Sequence, residues 1–253
     1  MKYEVIKYDT HKHLFDEAWR RCIKRGLNQD AEPFMLVSDL YVSDERKLLI
    51  KAFRKSVYEI SKIDGQFKSH ICLLTDENGI IIDLIMNNKS SLPRLNIGVQ
   101  LKEEFAGINA VSIALNEREA AFVKKNEHYL KCLRKIDCIA VPVFDNKGQL
   151  TGAIDISCMN GLTDECAITA FLMAKYTEYN FILLKREMIK EKLEEVELKI
   201  LKLTAEGKTD EEIAKMINRS ISNVKYHKNK IFEILNVKNV KDCIYKAAKM
   251  DLI

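Results

Sequence analysis

The chain has 253 residues, with 41 Lys and Arg against 37 Asp and Glu and a formal charge of +4, so no general affinity for polyanions is expected. No apolar run approaches the roughly eighteen residues that span a bilayer, and no N-terminal stretch pairs a basic start with an apolar run, so the sequence reads as cytoplasmic with no membrane contact. The cysteines at 22, 72, 132, 138, 158, 166 and 243 are odd in number, scattered and without a Cys-x-x-Cys pair, which argues against a disulfide framework or a zinc knuckle.

Asp9 to about Asp64 reads as helical. Phe15, Trp19, Cys22 and Ile23 recur at helical spacing, followed by Leu48, Leu49, Ala52, Phe53, Val57 and Ile60. The period then changes. His70–Thr75 and Gly79–Met86 are strand-like and flank Asp76–Gly79, whose Asn-Gly pair favours a hairpin. A loop with Pro93 and Gly98 and an apolar helix from about Asn109 to Asn116 come next. A second hairpin follows, Asp137–Phe144 and Gln149–Ser157 around Asp145–Gly148. Two hairpins in one sheet with flanking helices make an α+β layout.

From Thr163 to about Glu191 the chain lacks Gly and Pro and carries regularly spaced apolar residues, which predicts one long helix able to pair with its twin. Beyond it, Thr209 as N-cap with Glu212 three residues later forms a capping box, so a short helix should run from Asp210 to Met216. Asn218, Arg219 and Ser220 interrupt the rhythm, and a second helix begins at Ile221. Two helices joined by about three residues form a helix-turn-helix.

On a wheel of about 100° per residue, Val224, His227, Ile231, Ile234 and Leu235 share the inner side of that second helix. Ser222, Lys225, Tyr226 and Asn229 point outward, offering the cations, amides and hydroxyls that bond phosphates and base edges. From Ile213 to Lys249 there are nine basic residues against two acidic ones, Glu233 and Asp242, so the basic density lies where a DNA backbone would run.

Leu193, Glu197, Ile200-Leu201, Gly207, Glu212-Ile213-Ala214, Ser220, Val224-Lys225, His227 and Ile231 together resemble the LuxR-type DNA-binding domain. The resemblance implies a four-helix domain in which about Ile221–Leu235 reads double-stranded DNA and about Val240–Met250 helps form a homodimer. The DNA-contacting residues it suggests are Thr209, Ser222, Asn223, Lys225, Tyr226, Lys228, Asn229 and Lys230, with Asn223, Lys228 and Lys230 on phosphates. Glu194, Val196 and Asn223 depart from the usual Thr, Arg and Thr, which leaves open how the first helix is capped and salt-bridged.

Upstream, Trp19-Arg20, Leu74, Asp76, Gly79, Gly107 to Ala110, Ala114-Leu115, Glu127-His128-Tyr129, and Cys138, Ala140, Pro142, Asp145, Gly148 and Gly152 resemble the GAF-containing sensory half of bacterial acetoin-catabolism activators. Ile108 stands where that family usually has Thr, and the ATPase domain that commonly follows such a sensor is not found in this sequence. The resemblance implies a small-molecule pocket beside the sheet, lined by Phe105, Asn109, His128, Tyr129 and Cys138, with Cys72 and Met86 as further contributors. Several of these have structural alternatives: Asn109 as a helix cap, His128 as a hydrogen-bonded structural residue, Cys138 as packing.

Other chemistries are weaker. Cys132, between Lys131 and Arg134-Lys135, is the best redox candidate, because a reactive thiol needs basic neighbours. His128 with Cys132 or Cys138 lacks familiar metal or haem spacing. The acidic pattern of a phosphoreceiver is missing, as are a Ser-His-Asp set, paired carboxylates and a phosphate loop; a GAF-type methionine sulfoxide reductase would need reactive cysteines grouped over the pocket. The reading is therefore a one-component transcriptional regulator, not an enzyme and without cofactor: residues 1–162 a GAF-like sensor with an N-terminal helical extension, 163–192 a coupling and dimerisation helix, and 193–253 an all-α LuxR-type domain. A redox- or metal-responsive regulator, or a sensor half that acts only as an interaction module, are the alternatives.

Overall fold

The computed structural model describes residues 5–32, 43–63, 70–86, 95–159 and 161–253; Asp64 and Pro93 lie outside the described residues. The chain forms two compact units, one ending at Phe181 and the other beginning at Ile182.

The first unit contains β1 (Val5–Lys7), α1 (Tyr8–Lys24), α2 (Asp44–Ile63), β2 (Ile71–Asp76), β3 (Ile81–Met86), α3 (Glu103–Ala106), α4 (Ala110–Glu117), β4 (Ala120–Val123), β5 (Asp137–Phe144) and β6 (Leu150–Cys158). The expected helical stretch from Asp9 therefore holds two helices, the first stopping before Gly26. The strands form one six-stranded sheet in the order β1-β4-β5-β6-β2-β3, antiparallel except where β1 runs parallel to β4. Both expected hairpins are present, and β2 and β6 join them, with Leu73 opposite Asp155. The hairpin turns are built alike: Asp76 Oδ1 accepts the N–H groups of Asn78 and Ile80, and Asp145 Oδ1 those of Lys147 and Gln149, at 2.7–3.0 Å. The edge strand β1 and its neighbour β4 were not anticipated. Three and four residues are too few for an alternating pattern to stand out.

Both faces of the sheet are covered, so β2 and most of β5 and β6 are buried along their length. α4 packs on β4, β5 and β6. Leu73, Cys138, Ala140 and Ala153 share the core on that side with Phe15, Ala18 and Cys22 of α1. α2 packs on β2 from the opposite face. Burying a side chain such as Phe15 or Phe53 stabilises the unit by about 1.5–3 kcal/mol. Gly152 has φ +157°, and a Cβ there would lie 1.9 Å from the Thr75 carbonyl oxygen, so only glycine lets β6 approach β2 at this point.

α5 (Asp164–Lys192) is the long helix expected from the missing Gly and Pro, and it runs from the first unit into the second. In the first unit its Glu178 accepts from the Phe144 N–H at 3.0 Å, and Asn180 donates to Ser56 of α2 at 3.3 Å. The second unit continues with α6 (Glu195–Ala205), α7 (Asp210–Met216), α8 (Ile221–Leu235) and α9 (Val240–Lys249). Its core gathers Ile189 and Leu193 with Ile200, Ile213, Val224 and Leu235. Side-chain caps start three of these helices: Thr209 accepts from Glu212 N–H, Ser220 from Asn223 N–H and Asn239 from Asp242 N–H. Among the described residues, no helix is long and apolar enough to cross a membrane.

Candidate functional site

The helix-turn-helix is α7, a short turn and α8. Val224, Ile231 and Leu235 are buried, while His227 and Ile234 are half-buried, so the inner side of α8 is the one its periodicity indicated. Ser222, Lys225, Tyr226 and Asn229 are exposed, Tyr226 at 63%. The Tyr226 ring stands edge-on to His227 with centroids 5.3 Å apart, which steadies an aromatic group that points away from the core.

Beneath that face, α8 is tied to its neighbours by charge. Glu197 of α6 is fully buried and accepts from Glu194 N–H at 2.8 Å, His227 Nδ1 at 3.1 Å and Lys230 Nζ at 2.9 Å. Burial pushes its carboxyl up, but the Lys230 ammonium and the N–H donors outweigh this and hold it below the usual value. Glu194 takes Lys230 at 2.6 Å, and the hydrogen bonds that Lys230 donates to Glu194 and Glu197 raise its pKa. Glu194, one of the departures noted in the sequence, stands at the N-cap position of α6, where its N–H is held by Glu197, and its carboxylate supplies the salt bridge that was left open.

Three residues expected on DNA are thus engaged within the domain. Lys230 clamps α8 to α6, and Lys228 pairs with Asp210 of α7 at 2.6 Å with only 14% of its side chain exposed. Thr209 closes a reciprocal capping box with Glu212. A cation held this way is not available to neutralise a phosphate without breaking its pair. Lys225 makes no ion pair among the described residues. Asn223 is half-buried, with Oδ1 enclosed and unpartnered.

In the first unit a cavity of about 20 Å³ lies between the sheet and α4. Asn109, His128 and Cys138, three of the residues expected at a pocket, line it. Asn109 has every polar atom in use: Oδ1 accepts from Ser112 N–H, and Nδ2 donates to the Leu101 and Gly107 carbonyls. It caps α4, the structural alternative weighed above. His128 and Cys138 face Asp155 and Ser157, which sequence reasoning missed. The signal was there: Asp155 and Ser157 alternate along an otherwise apolar strand, and a period of two puts both on one face.

The other expected pocket residues lie elsewhere. Cys72 is on the opposite face of the sheet from Leu73, because neighbouring residues on a strand alternate. Phe105 and Met86 are half-buried on α3 and β3, outside the cavity lining. The Tyr129 ring packs edge-on against Trp19 at 5.0 Å and its hydroxyl donates to the Leu27 carbonyl, so it fixes the segment after α1. A Cβ on Gly107, which has φ +64°, would meet the Tyr129 side chain at 2.5 Å.

Cys132 does not have the properties of a redox sensor. Burial pushes its thiol up, its Sγ reaches the Ala31 carbonyl at 3.7 Å, Lys131 pairs with Asp30, and Arg134 donates to backbone carbonyls. Among the described residues, no group of three or more His, Cys, Asp or Glu side chains could hold a metal ion.

A second hollow, about 590 Å³, is open at the hairpin-turn end of the sheet beside Arg46, Asp76, Arg118 and Asp145. Arg46 is bound to Asp76 at 2.6 Å and Arg118 to the Gly148 carbonyl at 2.8 Å.

Two family descriptions match the sequence: "MimR, N-terminal domain" over residues 49–179 and "Bacterial regulatory proteins, luxR family" over residues 191–247. The chain is similar to the acetoin catabolism regulatory protein of Cupriavidus necator, 26% identical over 158 residues that make up 59% of this chain and 24% of that protein. It is also similar to the acetoin dehydrogenase operon transcriptional activator AcoR of Bacillus subtilis, 28% identical over 149 residues, 56% of this chain and 25% of that protein. The chain therefore spans only a small part of the length of these relatives. Among solved structures, the E. coli DhaR(N)-DhaL complex aligns with a TM-score of 0.57 at 20% identity, covering 66% of this chain and 60% of that chain, which is a likeness of fold.

Proposed function

This chain belongs to the family of bacterial regulators that carry the N-terminal domain of MimR, here with a luxR-family DNA-binding domain behind it, and on that premise we propose a one-component transcriptional regulator whose GAF-like first unit senses a small molecule and controls operator binding by α8. It is a regulatory protein and not an enzyme. One observation carries the DNA reading: α8 presents Ser222, Lys225, Tyr226 and Asn229 outward while Lys228 and Lys230 hold it rigidly from beneath. Lys225, Tyr226 and Asn229 read or clamp the groove, and Asn223 contributes its amide to the phosphates. Thr209, Lys228 and Lys230 position the helix.

A homodimer fits this reading, since a two-fold operator needs two recognition helices about one DNA turn apart. Ile168, Leu172 and Tyr179 are exposed along α5 at intervals of four and seven residues, the stripe that a second copy of the helix would cover. Effector binding would alter that pairing and so change affinity for DNA. A cytoplasmic location follows from the DNA partner.

The test is binding of the purified chain to DNA from its own upstream region against a scrambled duplex, at stated salt, with and without a metabolite panel. Tight, sequence-selective binding that a metabolite shifts is expected. Equal, weak, salt-sensitive binding to both duplexes would overturn the operator reading. A second reading, in which the first unit docks on another protein, needs no small-molecule pocket, and the cavity, at about 20 Å³, is small. The fold neighbour from E. coli was solved as a complex with a protein. Under that reading, no metabolite changes the operator affinity.

A further inference from the structure

α2 and α5 meet through a polar layer. Ser56 of α2 and Thr177 of α5 are completely buried, and Asn180 of α5 is 1% exposed. The other inward residues of these turns, Phe53 and Val57 of α2 and Met173, Ala174 and Phe181 of α5, are buried and apolar. Thr177 and Asn180 stand three residues apart and so share one side of their helix.

The layer is only half satisfied. Asn180 Nδ2 donates to the Tyr176 carbonyl at 2.9 Å and to Ser56 Oγ at 3.3 Å. Ser56 gives its own proton to the Ala52 carbonyl at 2.8 Å, and a hydroxyl has only one. Ser56 therefore has nothing to donate to Asn180 Oδ1, and neither that atom nor Thr177 Oγ1 has a partner among the described residues. A buried polar atom without a hydrogen bond forfeits its hydration, which weakens the state that buries it about tenfold or more for each atom. Both atoms regain hydrogen bonds when the helix lifts and water reaches them.

The opposite flank of α5 is fastened. β5 shifts register between Val143 and Phe144, and the Phe144 N–H goes to Glu178 Oε1 at 3.0 Å, while Lys175 pairs with the other carboxylate oxygen at 2.7 Å. Glu178 and Asn180 are two residues apart, about 200° around the helix axis, so they reach to opposite sides. One flank is thus held by a charge-assisted hydrogen bond, and the other rests on a layer that favours hydration. Both lie in the last turn before Phe181, where the first unit ends.

We propose that Ser56, Thr177 and Asn180 form a release catch: the layer keeps the seat of α5 on α2 weak enough for this part of the helix to lift, pivoting on Glu178, while the sheet stays folded. A seam built for stability alone would be apolar. Valine has the shape of threonine and leucine is close to asparagine in size, and with both in place Ser56 keeps its bond to Ala52, so no unpaired atom remains. α5 is the covalent route from the first unit to the second, and the catch sits where it leaves. Its bearing on DNA rests on the regulator reading given above, whereas the catch itself stands on the seam.

The experiment is hydrogen exchange of the full chain read by mass spectrometry, with Thr177→Val/Asn180→Leu beside the wild type. In the wild type the amides of residues 170–181 should exchange at least about tenfold faster than those of β5 and β6, through an opening that spares the sheet. In the double variant they should slow about tenfold or more while β5 and β6 keep their rates. Equal rates for α5 and the sheet in the wild type, or a double variant whose α5 exchanges as fast as before, would overturn the catch, and the wild-type protein alone decides the first. Operator Kd is measured in parallel. Met173→Ala, which opens a gap on the inward side of α5, should shift it at least about fivefold, and adding Thr177→Val/Asn180→Leu should bring it back. Ile113→Ala, a comparable loss of packing in α4 on the other face of the sheet, should leave it unchanged. Exchange as expected with Kd indifferent to Met173→Ala refutes the control of DNA binding through α5 and keeps the catch. Equal shifts of Kd for Met173→Ala and Ile113→Ala would mean that stability alone governs DNA binding and that the catch has no part in it.

Discussion

The two units treat buried charge in opposite ways. In the C-terminal unit Glu197 is matched by His227 and Lys230, and Asp210 by Lys228, so α8 is fixed in a single position against α6 and α7. The orphaned polar atom there, among the described residues, is Asn223 Oδ1, on the helix proposed to read DNA. In the N-terminal unit the outer carboxyls are matched by arginines, but the cavity keeps an imidazole nitrogen without a partner beside a carboxyl that meets no cation among the described residues. A reading head needs preorganisation, and a sensor needs atoms whose demands are met only when something binds.

The largest effect that sharpens this contrast comes from the sheet. Gly152→Ala places a methyl 1.9 Å from a backbone oxygen that cannot move without breaking the β2–β6 ladder. It should cost about 4 kcal/mol or more, read as an early unfolding transition of the N-terminal unit with that of the C-terminal unit unmoved. A single shifted transition for the whole chain would show that the units are not energetically separate.

Next is the cavity pair, where pH provides the probe. Asp155 has a folded pKa of about 7 against 3.8, so the folded state holds an extra proton and stability declines as pH rises from about 4 to about 7. His128 has a folded pKa of about 4 against 6.5, so its contribution is present above pH 6.5 and is lost as pH falls toward 4. The two slopes oppose each other between about pH 4 and 6.5, and the N-terminal unit should be nearly flat in that window. Asp155→Asn should expose the histidine slope and His128→Phe the aspartate slope, each on the order of 3–4 kcal/mol across its window. Denaturant midpoints measured every half pH unit check this, and parallel curves for all three proteins would break it.

The C-terminal counterpart is Glu197→Gln, which keeps the shape and removes the charge. Lys230 then loses its buried counter-ion and His227 its carboxylate acceptor, at a cost of about 3 kcal/mol confined to the second unit. Unlike the cavity variants, this one should leave ligand binding unchanged and lower operator affinity, because α8 loses its brace.

The same contrast governs what could be read from the sequence. The helical unit was legible because its signals are local: Thr209 with Glu212, Ser220 before Ile221, and a period that put Val224, Ile231 and Leu235 inward all act within a few residues. Even so, the inter-helix pairs of Lys228 and Lys230 escaped, because their partners Asp210 and Glu194 are 18 and 36 residues away. The sheet's two hairpins were legible from their turns. The cavity was half legible. His128 and Cys138 could be placed, yet Cys72 could not be assigned to a face until the β2–β6 register put Leu73 opposite Asp155. A one-residue difference on a strand exchanges inside for outside, and only long-range pairing fixes it.

The smallest effect tests the division of labour among the cations of α8. Lys225 is exposed and makes no ion pair among the described residues, whereas Lys228 is held by Asp210 at 2.6 Å. If Lys225 neutralises a phosphate, Lys225→Ala should flatten the dependence of log Kd on log salt by about one unit on any duplex, with little change in thermal stability. Lys228→Ala should do the reverse, lowering the melting temperature of the C-terminal unit and leaving the slope as it was. If Lys225 bonds a guanine instead, its loss relaxes sequence preference and leaves the non-specific slope intact. Equal slope changes for both variants would mean that DNA breaks the Lys228–Asp210 pair on binding. In that case the rigid head inferred from the free protein rearranges on its operator, and the contrast with the sensor narrows to the cavity alone.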